Sequence, residues 1–322
     1  MKKTAALVAM SAVMVASSSV LAAEAITWSG DIAAKYQRNT QENSDTTSGF
    51  LYTFRLKGEA DLGAGWGLYA RLGAQYAQNP SQADYKADGA AYGEDKKFVA
   101  TLDQFGVTYK QGNFDYKLGR QDVGVGALAL LYSRPDTNIG QRAFVDGLTV
   151  AGKSGITDVT AVIAREDNSG KENNGLYAVH IGLQPTERFH YGATAAHYDN
   201  KETGADATNH WAVDGGYKLG KHSWTAEYAQ SDKRDENKAY AVRWNYNFND
   251  KTGLYVTAFE VQANADMGAQ TDFTNNNRGF YYGVTHQLNK NDGVEVVYKD
   301  QKSLADGEGK NTKLEATFRH AF

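Results

Sequence analysis

Histidines 180, 190, 197, 210, 222, 286 and 320 are the side chains of this 322-residue sequence that titrate nearest neutral pH. As general bases they would need a nucleophile in contact, and as zinc ligands they would need partners at fixed spacing. Neither HExxH nor GxSxG occurs. A triad assembled across strands, as in a barrel enzyme such as an outer-membrane lipase, stays open as an alternative. There is no cysteine, so a thiolate nucleophile, a disulfide and a Cys-type metal centre are all excluded. The letters GxxxxGK[ST] occur once, in GLTVAGKS, 147–154, inside an alternating segment rather than a Gly-rich loop; no EF-hand loop or GxGxxG fingerprint appears, and DNSGKENNG lacks the spacing of a calcium loop. The reading is therefore of a non-enzyme without cofactor or metal.

A second set of residues offers electrostatics instead of bond chemistry. Arg55, Arg71 and Arg243 lie in alternating segments on the polar parity, as does Lys57. Each arginine sits five or six residues from a segment end, which at ~3.3 Å per residue is close to the middle of a membrane-spanning strand. Arginine keeps its charge even when partly desolvated, and a charge at that depth belongs on a water-facing side. Two readings stand: a ring holding a transverse field across a pore, or ordinary solvated lining.

The elements that must carry these charges are strands. In KLEATFRHAF, 313–322, Leu314, Ala316, Phe318 and Phe322 fall on one face, with His320 among them. Lys313, Glu315, Thr317 and Arg319 fall on the other. KAYAVRWNYNF, RGFYYGVTHQL and FLYTFRLKGEADL repeat the pattern. Sixteen such segments begin near 26, 50, 66, 103, 114, 144, 156, 176, 188, 209, 221, 238, 252, 278, 292 and 312. Short connections such as GAGW, GN and NDK alternate with long polar ones such as DNKETGADATNH and ANADMGAQTDFTNNN. Short turns on one rim and long loops on the other are the layout of an outer-membrane barrel. The polar average composition is no objection, because half of each strand would face a water-filled lumen.

The N-terminal MKKTAALVAMSAVMVASSSVLAAEA has the basic, apolar and small-residue regions of a secretory signal peptide, 1–23, with cleavage after Ala22, Ala23 or Ala25. Its apolar core is short of the ~20 residues that span a bilayer. The rest, 24–322, reads as one domain. Pro80, Pro135 and Pro185 are placed in loops or turns, where the missing N–H breaks no ladder. Aromatics near segment ends, including Trp28, Tyr116, Tyr217, Trp224, Trp244 and Phe318, fit girdles at two water–lipid boundaries. The long loops are net acidic, and the wall with its short turns is slightly basic. That balance gathers cations at the mouth without a strong single-sign filter, and leaves the sign of selectivity open.

Taken together, the signal peptide, the alternation, the terminal Phe322 and the segment GNFDYKLGRQDVG, 112–124, resemble the Gram-negative general porin superfamily over nearly the whole mature chain. The resemblance implies an all-β, 16-stranded antiparallel transmembrane barrel in the outer membrane, passing small hydrophilic solutes by passive diffusion. It further implies a homotrimer and a terminal strand read at Phe322 by the barrel-assembly machinery; outer-membrane lipid is a further expected partner, lipopolysaccharide is expected from charge alone, through divalent cations bridging the acidic outer loops, and no nucleic acid partner is expected. It points to a third loop folded into the lumen, here 127–143, carrying Arg134 and Asp136, and to a constriction arginine at Arg120. The parity of Arg120 follows Tyr116 and Leu118, so this strand either turns its aromatics inward or carries a bulge. The Pro-Glu-Phe-Gly-Gly signature common in that loop is missing. Its apolar ALALLY stretch, 127–132, either packs on the inner wall, forms a short helix, or is itself a strand. The second long loop, 80–103, is one that latches onto a neighbouring subunit in that family. Two alternatives remain. One is a substrate-specific, oligosaccharide-type porin, with Tyr69, Tyr198 and Tyr281 as a stacking track. The other is a soluble exported sugar-binding β-protein.

Overall fold

The computed structural model describes residues 26–42, 44–85, 96–167, 173–201, 205–305 and 309–322. The expected signal peptide, 1–23, lies outside the described residues, as does 86–95 of the second long loop. The first strands are β1 (Thr27–Gln41), β2 (Thr47–Gly63), β3 (Trp66–Ala77), β4 (Phe98–Gln111) and β5 (Phe114–Gln121). Two three-residue strands follow, β6 (Val123–Val125) and β7 (Tyr132–Arg134). The series continues with β8 (Val145–Ser154), β9 (Thr157–Glu166), β10 (Gly175–Thr186), β11 (Phe189–Asp199), β12 (Thr208–Leu219) and β13 (His222–Ser231). It ends with β14 (Lys238–Asn247), β15 (Thr252–Val261), β16 (Asn277–Gln287), β17 (Asp292–Ser303) and β18 (Lys310–Ala321).

All strands but β6 and β7 form one closed antiparallel barrel of sixteen, with β18 pairing back onto β1. Closure leaves no unpaired edge, the condition for a sheet to cross lipid. Connections of two to four residues join the strands along one rim. The other rim carries the longer loops. The first of these is shorter than the polarity of TQENSDTTSG suggests, because β1 and β2 continue their ladder as far as Asn39 and Thr47. β4 likewise starts at Phe98 rather than near 103. Pro80 opens a 3-10 turn and Pro135 lies in a loop. Pro185 instead falls inside β10, where the register shifts between Leu183 and Thr186 and the missing N–H is tolerated.

Alternation divides the wall into two faces. Ile32, Leu72, Leu118, Ile163, Ile181, Val213, Val242, Val284, Val296 and Phe318 are all exposed on the outside. An apolar band spread round the whole circumference is far larger than the patch of a few hundred Å² that a water-soluble monomer shows, so its solvent is hydrocarbon. Aromatic rows border the band. Tyr36, Phe50, Tyr52 and Tyr76 run in contact at the long-loop end. Trp66, Tyr109 and Tyr116, and Tyr217, Trp224, Trp244 and Tyr246, do so at the short-turn end.

The last residue completes the closure. The Phe322 N–H donates to the Gly30 carbonyl and the Gly30 N–H donates to the Phe322 carbonyl, each at 3.0 Å. The Phe322 ring lies over Gly30 and stacks with Phe54 at 6.3 Å between centroids. A Cβ on Gly30 would approach that ring to 2.9 Å and the Arg55 carbonyl to 2.2 Å. Only glycine lets the ring lie down on the ladder there.

Candidate functional site

The lumen is narrowed by the connection between β5 and β8, residues 122–144, which turns into the barrel. β6 and β7 pair as a short hairpin, and ALALLY supplies its turn and the start of β7; it is neither helix nor wall strand. Leu130, Leu131 and Tyr132 are fully buried. They pack in one cluster with Val162 and Ala164 of β9, Ala178 of β10, Ala196 of β11, Ala212 of β12, Ala229 of β13 and Ala241 of β14. A stripe of small inward residues over six strands makes the room that the apolar hairpin fills.

Polar groups fix the hairpin's position. The Glu227 carboxylate on β13 accepts the Leu128 N–H at 2.7 Å and lies so close to Gly126 that a Cβ would come within 1.9 Å of it. Gly126 also has φ of +99°, so it is glycine for two reasons. Glu166, buried at the end of β9, accepts from the Tyr132 hydroxyl at 2.7 Å, Gln270 Nε2 at 2.5 Å, Asn174 Nδ2 at 3.0 Å and the Tyr198 hydroxyl at 3.0 Å. Arg134 joins this hub at 3.2 Å and donates to the carbonyls of Arg142 and Phe144 and to Gln270 Oε1. Arg134 thus binds the constricting loop to itself and to the wall, and its side chain is buried rather than presented to the lumen.

A second long connection, 262–276 between β15 and β16, folds in against the hairpin. Its Met267 N–H donates to the Leu131 carbonyl at 2.9 Å, and its Asp272 N–H to the Ala129 carbonyl at 3.1 Å. The Ser133 N–H donates to the Gln270 carbonyl. Sequence polarity reads this loop as solvated; Met267 and Phe273, both buried, are the signals against that reading.

The loop's far side meets the opposite chemistry. Arg71 forms a forked pair with Asp103, Nε to Oδ1 at 2.8 Å and Nη2 to Oδ2 at 2.9 Å. Its remaining donors take the Asp136 carbonyl, Asp136 Oδ1 and the Asn138 carbonyl at 2.6–2.9 Å. Arg55 forks onto Asp31 at 2.7 and 2.8 Å and donates to the Thr137 carbonyl at 3.2 Å. The two arginine side chains are only 6% and 3% exposed, so each is anchor before it is pore charge. Asp31 stands opposite Arg55 in register and was recoverable from strand alignment. Asp103 was not, because it occupies the register shift of β4 opposite Arg71 and Leu72.

Asp136 is different. Its side chain is 65% exposed while still bonded to Arg71 and to Gln104 Nε2. Arg243, on β14, faces inward, donates to Thr257 Oγ1 at 3.0 Å and lies over the Tyr255 ring, with no ion-pair partner among the described residues. Beside it on the inner wall, Lys299 and Lys313 each hold Glu315 at 3.0 Å, and Lys35 holds Asp84 at 2.8 Å.

Arg120 departs from the sequence expectation. It stands opposite Phe105 and Asp146 in register and on the face of Leu118, which is 57% exposed. Its guanidinium binds Asp146 at 2.6 and 3.0 Å and Asp167 at 2.8 Å on the outside of the barrel. The inward places of β5 go to Lys117 and to Gln121, which is buried and donates to the Gly147 carbonyl at 2.8 Å. So the strand has no bulge, its aromatics face outward, and Arg120 faces outward with them. The sequence's mid-height ring thus becomes two clamped arginines, one with no ion-pair partner among the described residues and one on the outer wall.

Tyr69, Tyr198 and Tyr281 do face inward, but beneath other residues. Tyr69 donates to the Arg120 carbonyl under Lys117, Tyr198 binds Glu166, and Tyr281 packs on Phe259 and Phe273. None presents an open ring face as a stacking track requires.

A family model described as Gram-negative porin matches residues 4–306. Among solved structures, a triple mutant of the Rhodopseudomonas blastica porin superposes with a TM-score of 0.60 at 11% identity, covering 92% of this chain and all of that one. A loop-deletion variant of OmpT, an outer membrane protein of Vibrio cholerae, gives 0.59 at 13% identity, covering 92% and 99%. No curated protein matches the sequence.

Proposed function

The chain belongs to the Gram-negative porin family, an outer-membrane channel for passive diffusion of small hydrophilic solutes, and from that premise we propose where its solutes are sorted. The narrowest passage lies between the tip of the constricting loop, at Asp136, and the inner wall of β14, β17, β18 and β1. A carboxylate then faces a wall that carries Arg243, Lys299 and Lys313, where Glu315 offsets one of the two lysines, which sets up a transverse field. Arg55, Arg71 and Arg134 contribute by holding the loop. The observation that carries this reading is the contrast in exposure: Asp136 is open while the arginine that binds it is buried. No chemical step is needed, and two of the histidines are held by carboxylates: His180 meets Asp214, and His320 meets Asp292.

The unit that does this is a homotrimer. Arg120, Asp146 and Asp167 place a charged cluster on an outer face otherwise built for hydrocarbon, where burial against a neighbouring protomer costs less than contact with lipid chains. Phe322, seated in the last ladder position, is the feature that barrel-assembly machinery would read.

Planar-bilayer recording of the refolded protein under a salt gradient tests the whole. Conductance steps in groups of three are expected, with the reversal potential moving toward cation preference in Arg243→Glu and toward anion preference in Asp136→Asn. Inserted but silent protein would overturn the channel reading. Reversal potentials unchanged in both variants would overturn the proposed field.

A further inference from the structure

The short-turn end of the wall holds a depression of about 530 Å³ where β14 to β18 run side by side. Two lumen-facing positions in it carry no side chain. Gly253 stands between Asn247 and Thr285 in register, and Gly293 between Gln287 and Arg319. Side-chain oxygens lean in beside both. A Cβ on Gly253 would meet Thr285 Oγ1 at 3.1 Å, and one on Gly293 would meet Gln287 Oε1 at 3.3 Å. Glycine inside a strand marks a place where a ligand can come close to the sheet.

Charges of both signs flank this space. Glu295 stands opposite Thr317 on the inner face, and Arg319 follows two residues along the same face of β18. The Tyr255 hydroxyl donates to Glu295 Oε1 at 3.1 Å, and no lysine or arginine lies within ion-pair distance of that carboxylate among the described residues. Arg319 Nε is 3.7 Å from Asp31 Oδ2, but both oxygens of Asp31 already accept from the Arg55 fork. Glu295 and Arg319 therefore keep capacity for a ligand, one diagonal step of the sheet apart, ~7–8 Å between backbones.

The rest of the lining narrows the choice of ligand. Asp250 and Lys251 on the turn bring the charged set to two acids and two bases, and the His286 ring is bonded to Thr252. With no net charge, the depression has little hold on a simple ion. Apart from that imidazole it is lined by no ring, so a sugar finds no face to pack on. An extended dipeptide reaches ~7 Å from its ammonium to its carboxylate, which matches the step from Glu295 to Arg319.

We propose that this depression is a subsite for zwitterionic dipeptides on the short-turn side of the constriction. Glu295 takes the α-ammonium, Arg319 takes the α-carboxylate, and Asn247 and Thr285 offer hydrogen bonds to the amide between them. The proposal rests on the porin reading and names a solute class for it.

Saturation-transfer NMR of the refolded full chain tests it, with L-alanyl-L-alanine, its N-acetyl form, its C-terminal amide and the form blocked at both ends. The wild-type chain should bind the free dipeptide saturably and each singly blocked form roughly tenfold more weakly, the scale of one lost hydrogen bond to a charged group. Glu295→Gln keeps an acceptor for Tyr255 and should make the free and N-acetyl forms bind alike. Arg319→Gln should do the same for the free and amide forms. Lys153→Gln with Asp158→Asn, elsewhere on this rim, should leave all four affinities unchanged. Wild-type binding that ignores the blocking groups would overturn the proposal without any variant, as would the lack of saturable binding. Bilayer recordings on the same samples separate the two readings: open channels without dipeptide preference sink only the subsite, and absent channels sink the porin reading itself.

Discussion

The constricting loop is held at its two ends by opposite means. Its hairpin lies on an alanine-lined wall, with Leu130, Leu131 and Tyr132 fully buried. Its tip, 136–140, hangs on two arginines through backbone carbonyls, and the Gly140 N–H reaches Asp103 at 3.3 Å. Apolar packing is non-directional, and it fixes the hairpin only because the facing surface is shaped to it. A guanidinium fork is directional and fixes a backbone to within a fraction of an ångström. The directional device is at the end that borders the open lumen, where a small displacement changes the cross-section most.

The sharpest way to break that contrast is Arg71→Ala. It strands Asp103, whose side chain is 0% exposed, without its cation. Breaking a buried pair on one side costs ~3–5 kcal/mol, so thermal unfolding in detergent should shift markedly downward. Single-channel conductance should become larger and noisier as the tip comes free. Replacing Arg71 and Asp103 together by Leu removes both charges, which tends to restore stability. The tip would still be unclamped, so recovery of the melting temperature without recovery of quiet conductance separates anchoring from folding.

Leu131→Ala probes the other end. Truncating a fully buried leucine costs about 2–3 kcal/mol where the surroundings can partly collapse, as a loop can. Since the tip stays on Arg55 and Arg71, conductance should change far less than in Arg71→Ala, despite a comparable fall in melting temperature. Equal conductance effects from both variants would show that the two attachments work as one.

Arg243→Glu is smaller again in stability. Its hydrogen bond to Thr257 is worth about 0.5–1.5 kcal/mol. Its effect belongs in the reversal potential, which should move toward cations while melting stays nearly constant.

The barrel was legible in the sequence because a lipid-facing strand has only one kind of side chain to put outward, and parity then assigns everything else. Fifteen of the sixteen starts fall within three residues of the observed strands, and β4 is the exception. The constriction was legible only in part. Parity found Arg55, Arg71 and Arg243, but not that Asp31 and Asp103 cancel two of them. Position in the resembling family suggested Arg120, whose own parity with Leu118 pointed correctly to the outer face. Arg134 and Asp136 sit two residues apart on one loop, one buried and one open, a difference set by contacts with Glu166 and Gln270 far along the chain. Alternation carries no information about such contacts. The alanine stripe was visible as letters but has meaning only once six strands are side by side.

Asp266 offers the most local test, on the loop that braces the hairpin from above. Its carboxylate accepts from Asn275 Nδ2 at 2.7 Å and the Thr271 N–H at 3.2 Å, and burial pushes its pKa up to about 7. A carboxyl whose folded pKa is raised holds its proton in the folded loop at pH values where the unfolded loop has lost it. The bracing is therefore strongest below the ordinary aspartate range and weakens as pH rises toward about 7. Hydrogen exchange of residues 262–276, corrected for intrinsic rates, should show more opening at pH 8 than at pH 5. Asp266→Asn keeps the shape and removes this titration, so its protection should no longer fall between pH 5 and pH 8. The clamped tip, 136–140, should show no such pH step in either protein, because its anchors are arginine pairs; a step shared by both ends would mean that the hairpin and the tip open together.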